Sequence, residues 1–410
     1  MADYEFLTED TIPDFLRRHP EAAARVDLER VVSVHEIGDG NLNLVFLVKD
    51  AAGQGVCIKQ ALPYVRMTGE GWPMTPERAR HEVEALTTHG ALVPELVPRV
   101  FFFDPSRYIF VMEDLSDHQV WRNALNQGQH HDGVAEALGT FMGACAFGTS
   151  CLAKDREELA AATARALNPQ LCEITDDLVF TEPLVDQGRN RFLAANAPDV
   201  AEFQADAAMM RAMGWAKWMF LTRAETLIHG DLHSGSVMVR KADPSDRHAA
   251  SVKIFDSEFA FYGPQGFDLG AVWGNLVLAA ARALALGEEE RADWLLGLIT
   301  EVWEAMDAEF RRRWPDRRDP RVFGAETLED LLLTWRSDAW LYAAAKMSRR
   351  IIGAAKVTDI ETLPEELREG AARGVLRVAR RLVRKHAADS RPEALARLAA
   401  TTLRQARTQR

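Results

Sequence analysis

Cysteine is scarce in this chain: four thiols in 410 residues, at Cys57, Cys145, Cys151 and Cys172, with no C-x-x-C pair. Cysteines scattered in this way, without a histidine cluster at ligand spacing, argue against a disulfide framework and a structural zinc site. Positive charge is also short. Lys and Arg number 49 against 61 Asp and Glu, a formal charge of −12, so the molecule as a whole repels nucleic acid and anionic membrane. The longest apolar stretch, around Leu276 to Leu286, is interrupted by Arg282 and is too short to span a bilayer. The first ten residues, MADYEFLTED, are acidic and have no apolar centre, so no signal peptide is expected there and a cytoplasmic location is. Internal repeats and low-complexity tracts are missing too. What remains, 47% apolar and 27% charged, is the composition of a soluble globular protein long enough for two or three lobes.

The first third reads as strands with one helix. Val31–Ile37 and Leu44–Lys49 are β-rich runs, and the Gly38-Asp39-Gly40-Asn41 between them is a hairpin signal, because Asp-Gly tolerates positive φ. Gly55–Leu62, Val100–Phe103 and Tyr108–Met112 supply three more strands. Pro76 precedes helical spacing over Glu77–His89, a favoured first-turn position for proline. From about His131 the pattern turns helical and stays so, except for a β-rich island at Thr226–Val239 and Val252–Phe255. Helices resume near Phe267 and are broken by the loop Arg311–Pro320. This is an α+β bilobal plan: a small antiparallel-sheet lobe over residues 1–114, then a larger, mainly helical lobe over 115–410. A nucleotide would occupy the cleft between them.

Within that plan, Ile228-His229-Gly230-Asp231-Leu232-His233-Ser234-Gly235-Ser236-Val237 places a carboxylate just after one short apolar strand and five residues before another. Phosphoryl transfer needs such a group to accept and orient the attacking hydroxyl, since the protein contributes positioning and charge rather than covalent chemistry. A surface turn capped by aspartate fits that segment equally well. The second acidic turn breaks the tie. Val252-Lys253-Ile254-Phe255 runs into Asp256-Ser257-Glu258, and hard carboxylate oxygens of this kind suit Mg²⁺ bridging the phosphates of ATP. One acidic turn after a buried strand is common; two at this spacing are not.

Three weaker signals fall in the same order. Glycines Gly38 and Gly40 lie in a strand-turn-strand hairpin, which can fold over phosphates through its backbone amides. Lys59 is alone in the apolar run Val56-Cys57-Ile58-Lys59-Gln60 and has reason to face inward if it meets the phosphates and a carboxylate on the following helix. Glu82 is the candidate partner, with Glu77 and Glu84 as alternatives. Glu113, Asp114 and Leu115 end the last small-lobe strand, where an inter-lobe hinge would offer backbone groups to adenine.

Taken together, glycine hairpin, strand lysine, helix glutamate, hinge, HGD loop and DxE resemble the aminoglycoside and choline phosphotransferase branch of the protein-kinase-like fold. Several stretches resemble the 5-methylthioribose kinases more closely: Glu36–Asn43, Lys59–Tyr64, Gly69–Thr75, Met112–Leu115, Thr226–Ser236, Asp256–Pro264 and Ser348–Gly353. The resemblance implies transfer of phosphate from ATP to 5-methylthioribose, giving ADP and 5-methylthioribose 1-phosphate in methionine salvage. It puts Asn43, Lys59 and the Glu113–Leu115 backbone around ATP, Mg²⁺ on Asp256 and Glu258, and Asp231 on the anomeric hydroxyl. It matches Trp72 to a tryptophan loop that closes over the sugar, and it carries a homodimer with it.

Two departures from kinases in general sharpen the resemblance. Ser236 stands where most relatives carry a metal-binding Asn, and Glu258 where many kinases have Gly, so the second metal ligand is expected in the DxE motif. Arg349 and Arg350 lie in the helical run Leu341–Ile352, and a pocket of carboxylates and triphosphate needs cations. Adjacent helical residues point about 100° apart, so both reach the substrate only where the helix starts or bends. The basic stretch from Arg368 to Arg410 alternates arginine with Ala, Leu and Val and has no interleaved aromatics. It reads as packed helix with a solvated face, or as a dimer contact, rather than a nucleic-acid patch. Two rival readings stay open: the same fold acting on an aminoglycoside, choline or homoserine, and a catalytically silent nucleotide-binding module.

Overall fold

A computed structural model describes residues 5–23, 25–37, 43–65 and 69–407. The glycine turn, with Gly38 and Gly40, lies outside the described residues. Its two flanking strands, β1 (Val31–Glu36) and β2 (Asn43–Asp50), pair antiparallel with Glu36 opposite Phe46. Then come β3 (Gly55–Ala61) and a small hairpin, β4 (Tyr64–Val65) and β5 (Gly69–Pro73), before β6 (Val100–Asp104) and β7 (Ile109–Glu113). The main sheet runs β1-β2-β3-β7-β6, antiparallel throughout.

The central strands of this sheet are covered on both faces, and the reason lies at the N-terminus. Sequence reading gave the lobe one helix and five strands; the structure adds the β4–β5 hairpin and the helix Ile12–Arg18, whose Ile12, Phe15 and Leu16 are buried. They pack with Phe46, Val48, Val56, Ile58, Ile109 and Val111, all from one sheet face. Strand side chains alternate, so Cys57, Lys59 and Ala61 on β3, with Phe110 and Met112 on β7, point the other way, toward the second lobe. Cys57, Ala61, Phe110 and Met112 duly belong to the core of that lobe. A strand lysine that would usually meet water is buried because both faces are covered.

The helix Arg78–Leu92 lies on this inner face, and His89, near its end, hydrogen-bonds to the Leu227 carbonyl at 3.0 Å. After β7 the chain crosses over: β8 (Gln119–Val120) pairs with a strand of the second lobe. The β-rich island resolves into β9 (Thr226–Ile228), β10 (Val237–Arg240), β11 (Ser251–Ile254) and β12 (Phe261–Gly263), forming the ladders β11-β10-β8 and β12-β9.

Helix Gly266–Ala285 begins ten residues before the apolar stretch noticed in the sequence. At 20 residues it is long and apolar enough to cross a membrane by length and composition, contrary to expectation, yet 94% of its apolar window is buried inside the protein. It is the central helix of the second lobe. Gly266, Gly270 and Gly274 form a stripe along it, and a Cβ at Gly270 would stand 2.6–2.8 Å from Tyr342, Ala339 and Ala343. Glycine there lets the helix Ala325–Ile352 approach closely, which brings two long helices to one end of the strand island. The C-terminal helices Glu365–Lys385 and Pro392–Arg407 turn Val375, Leu376, Leu382, Leu395 and Leu403 into the core.

Candidate active site

Strand β9 delivers His229, Gly230 and Asp231 to the cleft, and the loop is held from behind. The His229 and Gly230 N–H groups donate to the two oxygens of buried Asp268 at 2.7 and 3.1 Å, from the first turn of helix Gly266–Ala285. Gly230 has φ +82°, and a Cβ there would stand 2.1 Å from the Phe259 carbonyl oxygen, so only glycine fits. His229 Nε2 is 2.9 Å from the Phe255 carbonyl, while its Nδ1 accepts from the Asp231 N–H at 3.3 Å. The ring thereby ties the HGD loop to the start of the DxE turn. Ser236 is buried, with its hydroxyl 2.9 Å from the Asp231 carbonyl and 3.0 Å from His233 Nδ1. That hydroxyl braces the loop.

The carboxylate of Asp231 is gripped on both oxygens. Lys346 Nζ donates to Oδ1 at 2.7 Å and Arg349 Nη2 lies 3.6 Å from the same atom; His233 Nε2 is 3.3 Å from Oδ2. Burial works to raise the Asp231 carboxyl, but Lys346, His233 and Arg349 outweigh it and hold it well below the usual aspartate range. Burial in turn pulls Lys346 down to about 8, with Asp231 opposing, and His233 down to about 4. A neutral His233 whose Nδ1 accepts from the Gly235 N–H must carry its proton on Nε2, facing Asp231.

The second cluster joins the lobes. Lys59 Nζ from β3 donates to Glu82 Oε1 at 2.9 Å and to Asp256 Oδ1 at 2.6 Å. Of the three helix glutamates, Glu82 is therefore the partner; Glu77 and Glu84 pair with Arg80 instead. Glu258 receives the Asn43 Nδ2 at 3.2 Å and lies 3.4 Å from Arg78 Nε, while Arg78 Nη2 donates to Asn43 Oδ1 at 2.9 Å. Burial opposes the Lys59 ammonium, but Asp256, Glu82 and Glu258 hold it above the ordinary lysine range. The crowding acts on the acids too: burial pushes Glu82 up to about 8 against Lys59, and burial and then Asp256 raise Glu258. Asp256 has φ +68°, a left-handed backbone that costs a non-glycine residue about 1–2 kcal/mol and turns its carboxylate toward Lys59.

One carboxylate oxygen each from Glu82, Asp256 and Glu258 can be chosen so that all three lie within 4.8 Å of one another. Hard oxygen donors converging in this way, with Glu82 and Glu258 raised by burial and neighbouring acid while Lys59, against burial, holds Asp256 below the usual aspartate range, fit a divalent cation of the Mg²⁺ type. Asp231 and Asp256 keep 22% and 43% of their side chains exposed, so both remain reachable from the cleft.

The other residues singled out in the sequence fall around this pair of clusters. At the hinge, Glu113 binds Lys253 at 3.1 Å and Asp114 lies 3.4 Å from Lys49, while Leu115 is buried. The Glu113 N–H donates to Arg99 O, and the Leu115 carbonyl accepts from the His118 N–H. Arg349 and Arg350 occupy the last turn of helix Ala325–Ile352, and both are buried. They diverge there: Arg349 faces Asp231, whereas Arg350 Nη1 donates to Ala355 O at 3.4 Å. The backbone of Trp72 lies on β5; its side chain is outside the described part of the structure.

Sequence reasoning missed Lys346, Arg78, Arg122 and Asp268. Arg122 Nη2 donates to Asn275 at 2.6 Å and its Nε to Ser234 at 3.1 Å, bracing the loop that carries Asp231. Lys346 left one signal: it is a lysine inside an apolar helical run, three residues before Arg349 and so on the same face. Arg78 and Asp268 left none, since arginine and aspartate in a first helical turn usually meet water.

A lysine–glutamate pair in one lobe, a carboxylate on an HGD loop in the other and an acidic turn between them define an ATP-dependent phosphotransferase of the kinase-like class. Residues 33–309 match the phosphotransferase enzyme family. Curated methylthioribose kinases match nearly end to end: that of Pectobacterium atrosepticum is 39% identical over 398 residues, 93% of this chain and 95% of its own. One from Yersinia pseudotuberculosis is also 39% identical, covering 93% of each chain. Among solved structures, a choline/ethanolamine kinase family protein from Mesorhizobium loti aligns over 97% of this chain and 99% of its own at 12% identity. Its TM-score is 0.44, too loose to bear on mechanism. The chain belongs to the methylthioribose kinases, within the phosphotransferase enzyme family.

Proposed function

We propose that this chain transfers the γ-phosphoryl group of ATP to the anomeric hydroxyl of 5-methylthioribose, releasing ADP and 5-methylthioribose 1-phosphate, a step of methionine salvage. Membership of the methylthioribose kinases supports the substrate; the Asp231 carboxylate, buried among cations yet open to the cleft, carries the chemistry.

Asp231 accepts the hydrogen bond of the anomeric hydroxyl and orients its oxygen toward phosphorus. A carboxylate held well below its usual pKa is a weak base, and this suits the role. The anomeric hydroxyl is more acidic than an ordinary alcohol, and in a loose phosphoryl transfer its proton leaves late. Lys59, fixed by Glu82, meets the α- and β-phosphates, with Gly38, Gly40 and Asn43 nearby. Adenine meets the backbone of Glu113–Leu115 at the hinge. Asp256 and Glu258 would hold Mg²⁺, which when bound neutralises phosphate charge. At least one of Arg349 and Arg350, with Trp72, contacts the sugar and its developing phosphate; Arg349, which faces Asp231, is the nearer candidate.

The reading extends to a cytoplasmic homodimer, as the family resemblance implies. The C-terminal helices suggested by the sequence turn their apolar residues into the chain's own core. Helix Ala207–Thr222 instead leaves Trp215, Trp218 and Leu221 more than half exposed along one side, and this is the face we assign to the contact. A sedimentation mass of one chain would remove that part of the reading.

The deciding experiment is ADP release with 5-methylthioribose against a panel containing choline, homoserine and an aminoglycoside. Turnover is expected with the methylthiosugar far above the others. Preference for another alcohol would move the substrate, and ATP-induced thermal stabilisation with no turnover on any of them would mark a silent nucleotide-binding module.

A further inference from the structure

Lys346 stands out among the groups that the proposed reaction does not yet use. It rises from the helix Ala325–Ile352 one turn before Arg349, is 4% exposed, and sits 4.5 Å over the ring of Phe267. Among the described residues its hydrogen-bond partner is Asp231, at 2.7 Å. Burying an ammonium costs several kcal/mol unless a partner repays it, so a packing role would be better filled by methionine or leucine. What a lysine adds at such a position is its contact with that carboxylate.

The contact is also stereochemically specific. A carboxylate offers about four lone-pair directions over two oxygens. Lys346 and Arg349 take Oδ1 from the helix side and His233 takes Oδ2 from the loop side, so the plane of the group is fixed while part of its edge stays open to the cleft. We infer that Lys346 is a positioning residue for phosphoryl transfer, acting through Asp231 by fixing the plane of its carboxylate and balancing its charge. The inference rests on the proposed role of Asp231 as the group that orients the acceptor hydroxyl.

The charged and titratable groups around Asp231 are Lys346, Arg349 and Arg350 on one helix, His229 and His233 on its own loop, Asp268 at the start of helix Gly266–Ala285, and Arg122 from helix Trp121–Asn126. With this set intact the carboxylate stays ionised far into the acid range, and activity that depends on it is lost only as pH falls through its depressed value. Removing Lys346 takes away the nearest cation, so the loss moves to higher pH.

The test uses K346M, K346Q, K346R, D231N and the double variant K346M/D231N, read by ADP release with 5-methylthioribose between about pH 3 and 9, so that the acid limb of the Asp231 carboxylate falls within reach. In K346M kcat is expected to fall about 100-fold while the KM for ATP changes by less than about twofold, and its acid limb moves upward. K346R should regain about tenfold of that loss, because it keeps the charge. In the D231N background K346M should cost less than about threefold, the non-additivity expected of a residue that acts through its neighbour. A near-normal kcat in K346M, an unmoved acid limb, or a full further loss in D231N each overturns the inference; the last would place Lys346 on the phosphoryl group itself. If K346M does not fold, shown by absent stabilisation with ATP, K346Q with and without D231N carries the same cycle. Wild-type turnover tests the substrate reading separately. An inactive wild type sinks that reading and moves the variants to whichever alcohol releases ADP, whereas an active wild type with an indifferent K346M sinks only the lysine's role.

Discussion

Two clusters of buried charge face each other across the cleft, and they are unbalanced in opposite directions. Around Lys59 and Arg78 stand three carboxylates, Glu82, Asp256 and Glu258. Around Asp231 stand Lys346, Arg349 and His233, with Arg350 one residue beyond. Burial and then neighbouring acids raise the proton affinity of Glu82 and Glu258, whereas the cations outweigh burial to depress that of Asp231. Buried clusters that serve only stability come close to neutral, because unpaired charge in a low dielectric is costly. On the proposed reading, the first imbalance suits a divalent cation and the second a phosphoryl group. Asp206 shows the contrast. It caps helix Ala207–Thr222 through the N–H groups of Ala208 and Met209 and pairs with Arg380 and Arg384 at 2.6 Å, while Glu202 also pairs with Arg380, so two acids meet two arginines.

The comparison breaks most visibly at Asp231. Asp231→Asn keeps the shape and removes the charge from the cation-rich cluster, and kcat is expected to drop about 10³-fold while ATP still stabilises the protein against heat. Near-normal turnover would mean that the orienting group lies elsewhere. On the acid-rich side, Glu258→Ala should raise the Mg²⁺ concentration for half-maximal rate by about tenfold or more, as removal of metal-site groups does. Unchanged Mg²⁺ dependence would return the ligand role to the Ser236 loop. The smallest effect belongs to Asp206. Burial works to raise its carboxyl, but Arg384 and Arg380 bring it down to about 2. This depressed carboxylate contributes stability that is present above the ordinary aspartate value and lost as pH falls from about 4 toward 2, amounting to about 2 kcal/mol. Asp206→Ala should therefore lower unfolding free energy at neutral pH by about 2–3 kcal/mol, including the lost cap, with both KM values unchanged. A changed KM would place Asp206 in the site and blur the contrast.

Much of the site was legible because its parts are local. His229-Gly230-Asp231 and Asp256-Ser257-Glu258 are short turns after apolar strands, and Lys59 was expected to face inward only on the chemistry it would serve. Glu82 was the candidate partner with Glu77 and Glu84 as alternatives, because sequence does not fix the helix face, and the fold brings Lys59 to Glu82. What stayed hidden was carried by distance along the chain. Lys346 lies 115 residues from Asp231, and Asn43 lies 215 from Glu258. Arg78 reads as an exposed first-turn residue, yet it is fully buried, donating to Leu62 O at 2.6 Å and to Asn43. The helix Ile12–Arg18 went unread because seven residues give too few turns for a periodic signal.

The sequence by itself determined the order of the parts: a strand lobe with its lysine, a helical lobe with two acidic turns, and a basic pair near the end of a long apolar helix. Those follow from periodicity and from the few residue types that suit each turn, which are properties of neighbours in the chain. Only the tertiary structure decided which charges meet. Docking two lobes and pressing one glycine-striped helix against another selects, among many acids and bases, the few whose burial makes their pairing obligatory.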